Sequence, residues 1–156
     1  AVGRQAVHVL KALPMIDCLF VYGTLMRAAA MAAMGRDMRA RLDAEGEWLG
    51  AATLRGRLYD LGAYPGLIRA TPSSDRVHGE VYRLRDPRAS FVWLDAYEGI
   101  PAGQTHSGHE YERVVDRAAR PDGSSLDVWV YGLIAAPDGA RFVAEGRWRY
   151  NAFRSM

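Results

Sequence analysis

The links between the strand signals of this chain are short, and that limits its fold more than any other feature. Strand-like runs occur at residues 16–22, 48–61, 67–70, 77–84, 111–117 and 125–134. Gly62 and Tyr64-Pro65-Gly66 reverse the chain after the second run, and Pro121-Asp122-Gly123 joins the last two. A parallel crossover takes about a dozen residues or more, which most of these links lack, so the sheet is expected to be mixed and largely antiparallel. One helix is well marked between strands. Asp86 is an N-cap acceptor, Pro87 takes the first helical position, and Gly99 is the left-handed residue that ends it. A shorter helix-forming stretch, 28–34, is expected to close at Gly35. The pattern is that of a small barrel-like α+β fold.

With 156 residues the chain suits one domain. Met15 stands directly before the first strand run, so residues 1–14 read as an extension and 15–156 as a single domain. The basic residues, nineteen arginines and Lys11, are interleaved with acids rather than gathered on one run, which argues against nucleic acid as a partner. No uncharged apolar stretch is long enough for a membrane span, and the first 14 residues lack the apolar core of a signal peptide. The cytoplasm is therefore the default location. Cys18, the sole cysteine, lies in the apolar run Cys18-Leu19-Phe20-Val21 and reads as a buried inert thiol.

The chemically informative residue is Glu98. On the marked helix, residues 91, 94 and 98 share one face, and Phe91 and Leu94 make that face core-directed. Glu98 thus carries a carboxylate into apolar surroundings, in the last helical turn where the dipole disfavours an anion. Both effects raise its pKa toward the range of a general base or acid at neutral pH. The alternative is a side chain rotated to solvent or paired with an arginine such as Arg113. Asp95, on the flank of that face, is available to cap or pair locally. Glu80 is the rival carboxylate, either a second catalytic group or a buried acceptor for neighbouring backbone.

After the first strand run, Tyr22-Gly23-Thr24-Leu25-Met26 makes a strand-to-helix turn whose successive N–H groups suit a carboxylate or phosphate, with Arg27 adding nearby positive charge. It lacks the spacing of a P-loop or a dinucleotide fingerprint. His106, His109 and Glu110 have metal-ligand spacing, yet no second pair completes a site, so no metal is expected. Tyr131 stands out among the aromatics because its hydroxyl needs a polar partner if the strand is buried.

Seven motifs in order carry a resemblance: Leu19-Phe20-Val21-Tyr22-Gly23-Thr24-Leu25-Met26, Gly56-Arg57-Leu58-Tyr59, Tyr64-Pro65-Gly66-Leu67, Val77-His78-Gly79-Glu80-Val81-Tyr82, Leu94-Asp95-Ala96-Tyr97-Glu98-Gly99, Tyr111-Glu112-Arg113 and Val130-Tyr131-Gly132. From about residue 16 to 135 the chain resembles the γ-glutamylcyclotransferase-like superfamily, in its Tyr-Gly-Thr-Leu branch. The resemblance implies a small mixed β-barrel, mostly antiparallel, with flanking helices and without metal or organic cofactor. It implies a small-molecule γ-glutamyl substrate whose α-amine attacks its own γ-amide, releasing 5-oxoproline and an amine. It implies Glu98 as the general base, with Tyr22, Gly23, Thr24 and Leu25 holding the glutamyl group. Tyr131 is a further substrate-side candidate, and Glu80 and Arg113 are candidates for support behind the site. The segment 101–110 is longer than the resemblance leads one to expect, and is read as a possible lid. The alternative function is a binding protein for small carboxylates that keeps the pocket without turnover.

Overall fold

The computed structural model describes residues 15–30, 32–69, 74–101 and 110–149. The proposed extension 1–14, the histidines 106 and 109, and most of the 101–110 loop lie outside these residues. Seven strands form one sheet: β1 (Cys18–Val21), β2 (Gly46–Asp60), β3 (Pro65–Arg69), β4 (Arg76–Leu84), β5 (Tyr111–Ala119), β6 (Ser125–Leu133) and β7 (Arg141–Val143). Two α-helices, α1 (Arg36–Glu45) and α2 (Pro87–Tyr97), and a short 3-10 turn at Arg27–Ala29 complete it.

Strands β2, β4, β1, β6 and β5 follow one another, and β5 pairs back onto β2 to close a five-stranded barrel. Every pairing in the ring is antiparallel except β1 with β6, where Leu19 lies beside Trp129. β3 and β7 both pair with the far end of β2. The fold is thus the barrel-like α+β arrangement expected from the short links, with the flanking helices that the resemblance implies.

β1 runs through the middle and is buried on both faces, which is why its sequence is apolar without alternation. Cys18, Phe20 and Tyr22 point into the barrel with Leu54, Val77, Val81, Val128 and Val130. Leu19 and Val21 point outward and pack under the helices with Leu42, Tyr82, Leu84, Phe91 and Leu94. Burial pushes the Cys18 thiol up, consistent with an inert side chain.

Gly79 shows how tightly β1 and β4 approach. A Cβ there falls within contact distance of the Val21 carbonyl oxygen and 2.5 Å from Phe20 Cζ. Gly79→Ala is therefore expected to cost about 3 kcal/mol, through displaced backbone rather than a rotated side chain. Thermal melting should show it as a fall of roughly 10 °C in Tm.

The helical expectations need one correction. The described residues 28–30 and 32–34 do not form a helix ended by Gly35. The chain makes a single 3-10 turn at Arg27–Ala29, and Gly35 starts α1, with φ 79° and its carbonyl accepting from Arg39 N–H at 2.7 Å. Helix α1 has no side-chain N-cap and buries only Arg39 and Leu42, so it carries little of the apolar periodicity that marks a helix in sequence.

α2 follows its local signals closely. The Asp86 side chain accepts from Ala89 N–H, and Pro87 opens the helix. At the other end Gly99, φ 77°, donates to the Ala96 carbonyl (3.1 Å) while Ile100 donates to Asp95 (2.9 Å). These are the paired bonds of a Schellman cap. They fix Glu98 as the C-cap residue, with φ −84° and ψ 4°.

Candidate functional site

The first strand ends where the second helix ends, and a cavity of about 400 Å³ opens between them, within the roughly 300–1,000 Å³ typical of small-molecule sites. Its walls come from Tyr22 to Leu25, from Tyr64 and Pro65 at the start of β3, and from Tyr97 to Gly99 after α2. Glu110, Tyr111, Tyr131 and Met34 also line it.

Glu98 opens onto this cavity. The residue is half-buried and lines the cavity. Burial, and secondarily the negative charge of Asp95, lifts its pKa from the usual 4.5 to about 7. No group among the described residues donates a hydrogen bond to its carboxylate. Five tyrosines surround it, and the hydroxyl of each is engaged elsewhere. Tyr22 donates to the Tyr131 carbonyl (2.5 Å) and accepts from Leu67 N–H (3.3 Å). Tyr111 donates to the Pro65 carbonyl (2.7 Å), Tyr131 to Asp95 (2.7 Å), and Tyr64 to Glu110 (3.0 Å). Tyr97 is bonded to the Thr24 hydroxyl (2.8 Å). An acid set in a protein-lined cavity, with no donor among the described residues, holds its proton to neutral pH. The influence is mutual: burial and then the Glu98 charge raise the pKa of Tyr22.

Arg113 does not pair with Glu98. Its Nε donates to Asp95 at 2.8 Å, and its guanidinium lies over Phe91 (4.0 Å) and Trp129 (4.6 Å). Asp95 thus takes both Arg113 and the Tyr131 hydroxyl, fixing Tyr131 against the cavity while Glu98 is left without a partner among the described residues.

Glu80 lies outside the cavity lining. It accepts from Arg27 N–H (2.7 Å), Ala28 N–H (3.3 Å) and Trp48 Nε1 (3.3 Å), and so anchors the 3-10 turn that follows the 22–26 loop. Of the two readings of Glu80, the geometry is that of the buried backbone acceptor. Arg27, expected to add charge to the loop, instead stacks over Trp48 (4.5 Å) and reaches Asp43 (3.5 Å). The buried cation behind the loop is Arg39, which sequence reasoning missed. Its Nη1 donates to the carbonyls of Thr24 (2.6 Å) and Met34 (2.9 Å), and its Nη2 to that of Ala32. Such contacts are to backbone, so no partner residue advertises them.

The loop itself is a tight turn closed by Met26 N–H to the Gly23 carbonyl, 3.1 Å. Glycine is needed at 23 because Pro65 leans on it: a Cβ there comes within 2.8 Å of the proline ring. A larger hollow, about 780 Å³, lies against the outer face of α2, but the one acid on its described lining, Asp95, is already paired. No cluster of metal-ligating side chains occurs among the described residues. No helix among them is long and apolar enough to cross a membrane.

A closed mixed barrel with an acid at a helix end, sharing a cavity with a glycine turn after the first strand, defines a recognisable class of small α+β proteins. The chain belongs to the gamma-glutamyl cyclotransferase, AIG2-like family, whose sequence model matches residues 19–150. It is 31% identical over 137 residues to the gamma-glutamylcyclotransferase family protein YtfP of Escherichia coli K12, covering 83% of this chain and 94% of that one. The solution structure of E. coli ytfP superposes with a TM-score of 0.55 at 30% identity, over 84% of this chain and 95% of that one. The crystal structure of an AIG2-like protein from Mus musculus shares the fold, with a TM-score of 0.64 at 18% identity and coverage of 87% and 90%. YkqA from Bacillus subtilis does so too (TM-score 0.59, 20% identity, 86% of this chain), and there the chain spans only 40% of the other's length.

Proposed function

We propose that the protein cyclises γ-glutamyl amines or peptides, releasing 5-oxoproline and a free amine, with Glu98 moving the proton. The observation that carries the reading is the state of Glu98: it lines a cavity beside the 22–26 turn, has no hydrogen-bond donor among the described residues, and has its pKa raised to about 7. Family membership supports the same chemistry.

In the proposed reaction the α-amine nitrogen of the glutamyl group attacks its own γ-amide carbonyl carbon. A C–N bond forms and closes a five-membered ring, while the carbonyl π pair moves to oxygen. Glu98, ionised, takes a proton from the attacking nitrogen and delivers it to the departing nitrogen. The oxygen pair then re-forms the carbonyl and breaks the old amide bond. No water is consumed. A carboxylate with a pKa near neutrality suits both halves of this transfer. Since nucleophile and electrophile are one molecule, the cavity's main task is to hold the folded conformer, and N–H groups of the turn suit the substrate carboxylate or the developing oxyanion.

The test is a panel of γ-glutamyl amines and dipeptides with 5-oxoproline quantified. Formation of 5-oxoproline from at least one member is expected. Binding of glutamate-like ligands without turnover of any member would make the protein a carboxylate-binding module instead.

A further inference from the structure

Among the buried charged side chains, Arg39 is unusual in what it faces. Asp60 pairs with Arg141 and Glu80 takes backbone and indole N–H groups. Arg39, 8% exposed, has no carboxylate against it among the described residues and spends its guanidinium on the carbonyls of Thr24, Ala32 and Met34. A buried cation held only by carbonyl dipoles is costly, and two of its three partners, Thr24 and Met34, line the cavity.

The geometry of one peptide turns this into chemistry. No cis bond occurs among the described residues, and in a trans peptide the C=O and the next N–H point opposite ways. With the Thr24 carbonyl drawn onto Arg39 at 2.6 Å, the Leu25 N–H must face away from the guanidinium. Leu25 lines the cavity and is 4% exposed. Its N–H has no acceptor among the described residues, although buried backbone donors are nearly always paired. The described cavity lining holds two carboxylates, Glu98 and Glu110, and no basic side chain, so an anionic ligand needs its counter-charge from behind the wall.

We propose that Arg39 is a positioning residue that orients and polarises the Thr24–Leu25 peptide, so that the Leu25 N–H receives the carboxylate of a glutamyl ligand. The proposal deepens the cyclotransferase reading and rests on it for the identity of the ligand. Arg39 touches no substrate; it acts through the peptide. Its fork matters as much as its charge, because three carbonyls from two stretches of chain are gathered on one rigid plane, which an ammonium cannot reproduce.

The experiment titrates the ¹⁵N-labelled full chain with L-glutamate and follows the Leu25 amide, alongside KM and kcat of Arg39→Lys and Arg39→Met on a γ-glutamyl compound that the wild type turns over. Expected are a saturable downfield shift of the Leu25 proton in the wild type and a tenfold or larger rise in glutamate Kd and in KM for Arg39→Met. Its kcat should change less than threefold, and Arg39→Lys should lie between the two. A merely structural arginine would instead lower the active fraction, and so kcat, at unchanged KM. An unmoved Leu25 amide at saturating glutamate, no glutamate binding, or wild-type Kd and KM in both variants would each overturn the proposal. If Arg39→Met fails to fold, the wild-type titration and Arg39→Lys decide alone. Failure of the cyclotransferase reading looks different: the Leu25 shift and its dependence on Arg39 persist while no 5-oxoproline is made, leaving a glutamate subsite without turnover.

Discussion

Glu98→Gln is expected to lower turnover of γ-glutamyl substrates by about 10²-fold or more while the barrel stays folded. Glutamine keeps the size and shape of the side chain, and no hydrogen bond to the Glu98 carboxylate exists among the described residues for it to disturb. What it loses is the carboxylate's capacity to take up a proton and hand it on. The wild type should also show a kcat/KM that rises with pH through about 7 as the carboxylate ionises, and that rise should vanish in the variant's residual activity. Circular dichroism checks the fold and 5-oxoproline formation the rate. Near-normal activity in Glu98→Gln would remove the proposed base. Glu80 would be a poor replacement, since three N–H donors already hold it outside the cavity.

The second large effect runs the other way: above neutral pH, Glu98→Gln should be the more stable protein. In the folded chain burial holds the carboxyl's pKa at about 7, against the usual 4.5 expected on unfolding. Below about pH 4.5 both states carry the proton and Glu98 adds no pH dependence. Between about 4.5 and 7 the unfolded chain has released its proton while the folded chain retains it, so stability falls as pH rises. Above 7 both are ionised and the loss is complete, on the order of 3 kcal/mol at 1.36 kcal/mol per pKa unit. Glutamine does not titrate, so the difference between the two proteins isolates this one group from every other ionisation. Urea denaturation at pH 4, 5, 6, 7 and 8 should show the gap opening across that window and then levelling. A constant gap would mean that the folded-state carboxyl titrates like a solvated one. A gain in stability from deleting the acid, beside a loss of turnover, is the pattern of a group kept at energetic cost for function.

Much of this was legible before any coordinates. The turns at Gly62–Gly66 and Pro121–Gly123, the Asp86-Pro87 start and the Gly99 stop of α2 are set by residues within a few positions of one another. So is the placing of Glu98 on the face of Phe91 and Leu94, which are buried as expected. The first strand was legible from its apolar run, and the structure buries β1 on both faces.

Other features had no local trace. α1 buries only an arginine and a leucine, and Gly35 reads equally well as the end of one helix or the start of another. Arg39 finds backbone carbonyls, which every residue carries. Arg113 takes Asp95 rather than Glu98, a choice made when β5 is laid against α2. The tyrosines that crowd Glu98 come from residues 22, 64, 97, 111 and 131, and whether their hydroxyls solvate that acid or turn away is decided by which carbonyls and acids closure of the barrel brings to them. Caps, turns and periodicity are short-range chemistry and survive in the amino-acid order. Apart from the share owed to Asp95 on the same helix, the raised pKa of Glu98 comes from burial by groups distant in the sequence, which only the tertiary structure gathers around it.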